Sequence, residues 1–158
     1  MNFDFANFEL HRVAVSDHIG KLYFLNEEAL STTNRVVSAV RANEEKVTIV
    51  QADTLDNMLN DRFDRIVMKM DIEGGEEKAF IGADRLFRNK KIKLVMFERL
   101  GRTNLSAIQE FMTSHKYQIF RVLSSGILST SSEEISIPLI NLFACPAEAF
   151  ADLKRIAV

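Results

Sequence analysis

The stretch FDRIVMKMDIEGGEEKAF, residues 63–80, decides the fold. Its apolar run, RIVMKM (65–70), ends at Asp71. Glu73 follows, then the Gly74-Gly75 pair, and a pattern of helical period begins. The order is strand, tight acidic turn, helix. In an α/β protein ligands gather at the carboxyl ends of strands, so this turn puts two carboxylates where chemistry would take place. The helix is expected over 75–90. Phe80, Ala83 and Phe87 recur at helical spacing with Ala79 and Leu86 beside them. Glu76 and Glu77 at its start and Arg85, Arg88 and Lys90 toward its end suit the helix dipole.

Downstream of this unit, IKLVMF (92–97) is a mostly apolar run ending in Glu98, as suits a strand covered on both faces. NLSAIQEFMTSH (104–115) reads as a helix with Leu105, Ile108 and Met112 on one face. YQIFRVL (117–123) and IPLINLFA (137–144) read as strands separated by a polar turn region, 124–136. AEAFADLKRI (147–156) reads as a closing helix. Upstream, FELHRVAV (8–15) and KLYFL (21–25) are short β-rich runs around Ser16–Gly20 turn chemistry, and a hairpin between them is expected. Residues 26–45 read mostly as loop, VVSAV (36–40) included. KVTIVQA (46–52) alternates like a strand. TLDNMLND (54–61) fits one or two helical turns, with Thr54 as N-cap. The alternation from residue 65 onward predicts a mostly parallel α/β sheet finished by an antiparallel hairpin, in a single domain spanning 1–158.

Bulk properties exclude several classes of function. The chain has 158 residues, enough for a substantial core. A formal charge of −2 argues against a nucleic-acid binder built on a basic face. No apolar run reaches the roughly 18 residues of a membrane span. The start, MNFDFANFEL, lacks the pattern of a signal peptide. Cys145 is the single cysteine, so no internal disulfide can form, and a cytoplasmic location is expected.

The quoted strings, taken in order, resemble a known family. VAVSD (13–17), TLD (54–56), MKMDIEGGEEKAFIGA (68–83), VMFER (95–99), KYQIFRV (116–122) and NLFACP (141–146) are similar to the FkbM family of S-adenosylmethionine-dependent methyltransferases. The family's central string is Lys-hydrophobe-Asp-hydrophobe-Glu-Gly-x-Glu. Lys69, Asp71, Glu73, Gly74 and Glu76 match it position by position. The resemblance runs from about Phe8 to Pro146. It implies a Rossmann-like class I methyltransferase fold with strand order 3-2-1-4-5-7-6, S-adenosylmethionine as cofactor, and a small-molecule or sugar acceptor methylated on oxygen. It also implies that Asp71 lines the site with Glu73 nearby, and that Ser16 and Asp17 follow the strand whose end reaches the cofactor's adenine.

One departure qualifies this. The family begins with a strand, a glycine-rich cofactor loop, a helix and a second strand. The six glycines here, Gly20, Gly74, Gly75, Gly82, Gly101 and Gly126, form no such loop. The chain is therefore expected to be an N-terminally truncated domain, its strands 1 and 2 absent, and inactive as the isolated chain. A non-catalytic remnant that serves as a binding or oligomerisation module is the alternative. Strand 65–70 would become an exposed edge. It would be covered by a preceding N-terminal segment, by residues 8–52, or by a second copy in a homodimer.

The candidate catalytic residues are Asp71, Glu73, Lys69 and Glu98; the candidate cofactor-binding residues are Ser16, Asp17 and Asp71. Methyl transfer from a sulfonium is an in-line displacement, so positioning and electrostatics dominate, and a carboxylate at a strand end can orient an acceptor or take its proton. Structural readings stand beside these. Glu73 and Glu76 also suit helix capping. Lys69, two residues before Asp71 on the same strand face, either pairs with a site carboxylate or snorkels at an edge. Glu98 serves the site or bridges to Arg99 or Arg102. Ser16 and Asp17 are also ordinary turn residues. Asp56 fits helix capping, His115 fits a helix C-terminus, and Cys145 fits the core. Asp71 and Glu73 could hold magnesium, but two carboxylates are a weak signal for it. His11, His18 and His115 lack metal-ligand spacing, so no metal site is assigned.

Overall fold

The structure is a computed structural model that describes residues 9–25, 35–37, 47–72, 74–101 and 103–156. The chain order is β1 (Ala14–Val15), β2 (Gly20–Leu25), β3 (Arg35–Val37), β4 (Val47–Asp53), α1 (Leu55–Leu59), β5 (Ile66–Met70), α2 (Glu76–Ile81), α3 (Asp84–Arg88) and β6 (Ile92–Arg99). Then come α4 (Leu105–Ser114), β7 (Tyr117–Val122), β8 (Leu128–Ser129), α5 (Ser132–Ser136), β9 (Ile140–Pro146) and α6 (Ala147–Ile156). Two sheets result, one ordered β1-β4-β2-β3 and the other β5-β6-β9-β7-β8.

The fold is α/β, but its sheets are mixed. Only β1–β4 and β5–β6 pair in parallel. The remaining pairings among the described residues are antiparallel. The expectation of a mostly parallel sheet is corrected here. β6 and β7 run the same way, joined by the α4 crossover, but β9 inserts between them and turns both contacts antiparallel. The expected hairpin between 8–15 and 21–25 is also corrected. β1 covers only Ala14–Val15, and β1 and β2 lie on opposite sides of β4 instead of against each other. β3, at Arg35–Val37, falls in a stretch expected to be mostly loop. The polar turn region 124–136 likewise contains β8 and α5. Ser131 caps α5 through its side chain, which accepts from the Glu134 amide.

The expected helix over 75–90 is two helices, broken at Gly82-Ala83, and the cause is non-local. The Asp56 amide donates to the Gly82 carbonyl (2.9 Å). The Asp56 carboxylate then accepts from the amides of Arg85 (2.8 Å) and Leu86 (3.0 Å), which starts α3 afresh. An acidic side chain from α1 thus supplies the cap that α3 lacks in its own sequence. The apolar positions survive the break. Ala79, Phe80, Ala83, Leu86 and Phe87 are all buried against one face of the five-stranded sheet. Phe80 meets Phe87 and Phe97 edge to face, at 5.7 and 5.3 Å between ring centroids. α4 closes the same layer with Ile108 and Met112. On the opposite face, Phe150 of α6 packs on Phe120 and Cys145 in a smaller cluster. Val15, Leu55 and Leu59 reach the main cluster from the N-terminal sheet and α1, which ties the two sheets together.

β5 forms one edge of the five-stranded sheet. None of the described strands within residues 8–52 covers it: β1, β2, β3 and β4 pair among themselves. Among the described residues no helix is long and apolar enough to cross a membrane.

Candidate functional site

The parallel pair β5–β6 sets Met70 opposite Phe97. The next residues along, Asp71 and Glu98, therefore stand at the same carboxyl edge of neighbouring strands. This is the position from which side chains of an α/β sheet meet ligands. Lys69 Nζ lies 2.9 Å from Asp71 Oδ2, so the pairing expected between them forms. Both side chains are more than half exposed, and such a pair adds only about 0–1 kcal/mol to stability. Its effect is on local charge: the lysine balances Asp71 and fixes one of its oxygens.

The turn that follows is held by backbone geometry. Gly74 has φ +98°, a conformation that penalises any side chain, and the Gly75 amide donates to the Ile72 carbonyl (3.3 Å). The Gly74 amide donates to Glu76 Oε1 (3.1 Å). The two glycines serve the turn, as their sequence suggests. Glu73 lies outside the described residues.

Glu76 was expected only as a helix-capping residue, and the structure gives it a second property. It is 1% exposed, and its Oε2 is buried without a hydrogen-bond partner among the described residues. A buried carboxylate oxygen without a donor is costly, so it marks a position under functional or structural constraint. Arg99, at the end of β6, repeats the pattern. Among the described residues its Nε is buried without a partner, and its Nη1 makes a long contact to the Leu100 carbonyl (3.4 Å). Neither was among the candidate site residues. Glu76 was within reach of sequence reasoning, because it occupies the last position of the matched string. Arg99 carried no comparable signal. Glu98 makes no side-chain hydrogen bond or ion pair among the described residues. The bridge to Arg99 is absent there, and Arg102 lies outside them.

Ser16 and Asp17 follow β1, in the other sheet. The Ser16 amide extends the parallel pairing by donating to the Asp53 carbonyl (2.9 Å). Ser16 is 1% exposed and its hydroxyl donates to Asp17 Oδ1 (3.0 Å). His18 Nδ1 lies 2.7 Å from the same oxygen. The imidazole holds the Asp17 carboxyl below its ordinary value; burial pushes the other way with a smaller effect, and the Ser16 hydroxyl adds a further lowering contribution. Asp53 Oδ1 at the end of β4 accepts from the Thr54 amide and from Asn57 Nδ2. These turns are therefore internally bonded, with Ser16 fully committed.

The other candidates fall where their structural readings put them. Asp56 caps a helix, although α3 and not its own. His115 is the C-cap of α4, within hydrogen-bond reach of the Phe111 carbonyl (2.8 Å) and of Asp84 (2.9 Å). Cys145 is buried in the smaller cluster, and burial pushes its thiol up to about 11. Among the described residues no group of three or more His, Cys, Asp or Glu side chains could hold a metal ion. A groove of about 340 Å³ between α2 and α4 has Glu77 and Glu110 among its lining residues, and it includes none of Asp71, Glu98, Ser16 or Asp17.

What the geometry offers is a pair of carboxylates on adjacent parallel strands, one balanced by lysine, above a glycine turn with a buried glutamate. Such groups can accept hydrogen bonds from hydroxyls or take a proton from one. The model of the methyltransferase FkbM domain matches residues 4–119. No curated protein and no solved structure matches the chain. With most of its length matched, and the matched part including β5, its glycine turn and the β6 edge, the chain belongs to the FkbM methyltransferase domain family.

Proposed function

We propose that the chain is the C-terminal part of an S-adenosylmethionine-dependent methyltransferase of FkbM type, acting on an oxygen of a small molecule or sugar in the cytoplasm. The observation that carries this reading is the placing of Asp71 and Glu98 at one edge of the parallel pair β5–β6. The order β5-β6-β9-β7 supports it, because it is the 4-5-7-6 half of a Rossmann-like class I methyltransferase sheet. The cofactor would supply an electrophilic methyl group on a sulfonium. The residues present do not make a full cradle for it. Gly74 and Gly75 are spent on the acidic turn, and Gly82 is packed against Ser16. The Ser16 hydroxyl is buried and bonded to Asp17. The methyl-acceptor side is better represented, with Asp71 and Glu98 positioned to accept hydrogen bonds from acceptor hydroxyls.

It follows that residues 1–158 alone bind the cofactor weakly and have little or no activity. A thermal melt with and without excess S-adenosylhomocysteine tests this. A ligand specific for the folded state adds about 2.7 kcal/mol at a hundredfold excess over its Kd. The expected result is an unmoved midpoint, and an upward shift overturns the incomplete-site reading. The chain extended at its N-terminus by a glycine-rich strand-loop-helix unit should transfer labelled methyl groups to sugar acceptors. Asp71→Asn should abolish that transfer, and unchanged transfer would remove Asp71 from the site. A second reading, a non-catalytic binding or oligomerisation module, is favoured by the β5 edge, which no described strand covers and where Val67 is 74% exposed.

A further inference from the structure

A second groove, of about 480 Å³, opens where α4, β7 and α5 meet. Gln109, Met112 and Thr113 of α4 and Lys116 just after it recur at helical spacing along one wall. Thr130, between β8 and α5, belongs to the other wall with Ile135 of α5. Met112 and Ile135 are buried members of the main core cluster, so the floor is apolar and fixed. The α5 wall is fixed too, by the Ser131 cap and by an ion pair from Arg121 of β7 to Glu134.

Among the described residues that line the groove, Lys116 is the only charged one. Its backbone is held from both sides. Its φ is +57°, its amide donates to the Thr113 carbonyl (2.9 Å), and its carbonyl accepts from the Ala147 amide (3.0 Å). Among the described residues its ammonium, the Gln109 amide and the hydroxyls of Thr113 and Thr130 have no hydrogen-bond or ion-pair partner. Lys90 is close by, its Nζ 4.6 Å from the centre of the Tyr117 ring, and Glu148 of α6 acts on Lys90. Neither lines the groove. Two lysines against one carboxylate leave this region positive.

The groove is separate from the edge that carries Asp71 and Glu98. Tyr117 pairs with Pro146 and Glu98 with Asn141, so the amino end of β7 is displaced from the Glu98 level by five residues of β9. That is about 17 Å at about 3.4 Å per residue. The walls also come from the side of the sheet away from β5, so a strand added beyond β5 leaves them as they are. The ligand chemistry follows from the lining. A cation would face Lys116, and a wholly apolar ligand would leave the amide and hydroxyls without partners. A lysine suits phosphate as a compact positive donor, and a sugar ring offers hydroxyls to the polar groups and C–H faces to the floor.

We propose that this groove binds a phosphorylated monosaccharide, its phosphate on Lys116 and its hydroxyls on Gln109, Thr113 and Thr130. The inference does not depend on the methyl-transfer reading. Backbone-amide NMR of the chain, titrated with glucose-6-phosphate, glucose or inorganic phosphate, tests it. The expected result is saturable shifts at Gln109, Thr113, Lys116 and Thr130 with glucose-6-phosphate, and binding at least about tenfold weaker for each of the other two. Lys116→Asn should weaken glucose-6-phosphate binding by about tenfold, the loss of one charge-assisted bond, without altering the melt, because asparagine tolerates the left-handed backbone. Lys154→Asn, on the opposite face beside Phe150, should leave binding unchanged. Absence of saturable shifts overturns the proposal. Inorganic phosphate binding as tightly as glucose-6-phosphate overturns it by reducing the groove to an attraction for anions. Shifts confined to Asp71 and Glu98 overturn it while leaving the methyl-transfer reading in place.

Discussion

A Cβ on Gly82 would stand 2.0 Å from the carbonyl oxygen of Ser16. The two residues lie at the seam between the sheets, Ser16 after β1 and Gly82 between α2 and α3. The backbone of Gly82 has an ordinary φ of −69°, so it is space and not conformation that demands glycine here. Gly82→Ala forces β1 away from α2, and the neighbour is backbone that cannot swing aside. The expected cost is about 1–3 kcal/mol, the range for overpacking a closed site. Urea denaturation of the variant checks it. An unchanged midpoint would mean the seam is looser than it is drawn.

Asp56 and α3 give the second prediction. Because its carboxylate accepts from two α3 amides, Asp56→Ala should cost about 1–2 kcal/mol, as for the loss of a helix N-cap. Asp56→Asn keeps one acceptor oxygen and should cost less. Equal losses in the two variants, measured by denaturant titration, would show that the charge and not the cap is what matters.

Acid sensitivity follows from Asp17. Its folded carboxyl titrates below the usual aspartate value, chiefly through the bond from His18. A depressed carboxylate contributes stability above its unfolded pKa of about 3.9, and that contribution fades as pH falls through the lower folded value. Asp17→Asn should therefore be less stable than the parent at neutral pH and should converge with it in strong acid. Melts from pH 7 down to below 3 would show this. Parallel curves over the whole range would contradict it.

Cys145 provides a probe of integrity. Its thiol is buried and its pKa is raised to about 11, so the reactive thiolate is scarce near neutral pH. A disulfide-exchange reagent at pH 8 should label the native protein far more slowly than the protein in denaturant. Rapid native labelling would mean that α6 does not stay seated on β7 and β9.

The elements legible in the sequence were those whose signal is local. β5, β6, α4, β7 and α6 fall where period and composition place them, and Phe80, Ala83 and Phe87 are buried as their spacing requires. The misreadings share one physical origin, a distant residue deciding a local outcome. The helix break at Gly82 goes with the bonds made by Asp56, far away in the chain. The lost hairpin between β1 and β2 arises because β4 takes both as neighbours. The mostly parallel pairing gave way to a mixed one because β9 inserts between β6 and β7, an insertion that the resemblance's 5-7-6 order implies and the local pattern does not. At the site, the Lys69–Asp71 pair was legible from two-residue strand spacing. The burial of Glu76 and the unpaired Nε of Arg99 were not, because no pattern of residue types reports which polar atom ends up without a partner.

The position of β9 has a consequence for synthesis. The strand that occupies the middle of the five-stranded sheet is the last one to be made. While the ribosome is still adding residues up to 139, β6 and β7 have no shared neighbour, and Phe97, Ile119 and Phe120 have no closed layer to enter. The sheet can be completed only when Ile140–Pro146 has cleared the exit tunnel. The nascent chain therefore carries its apolar strands open until that segment emerges, and such surfaces are open to chaperones or to a neighbouring chain meanwhile.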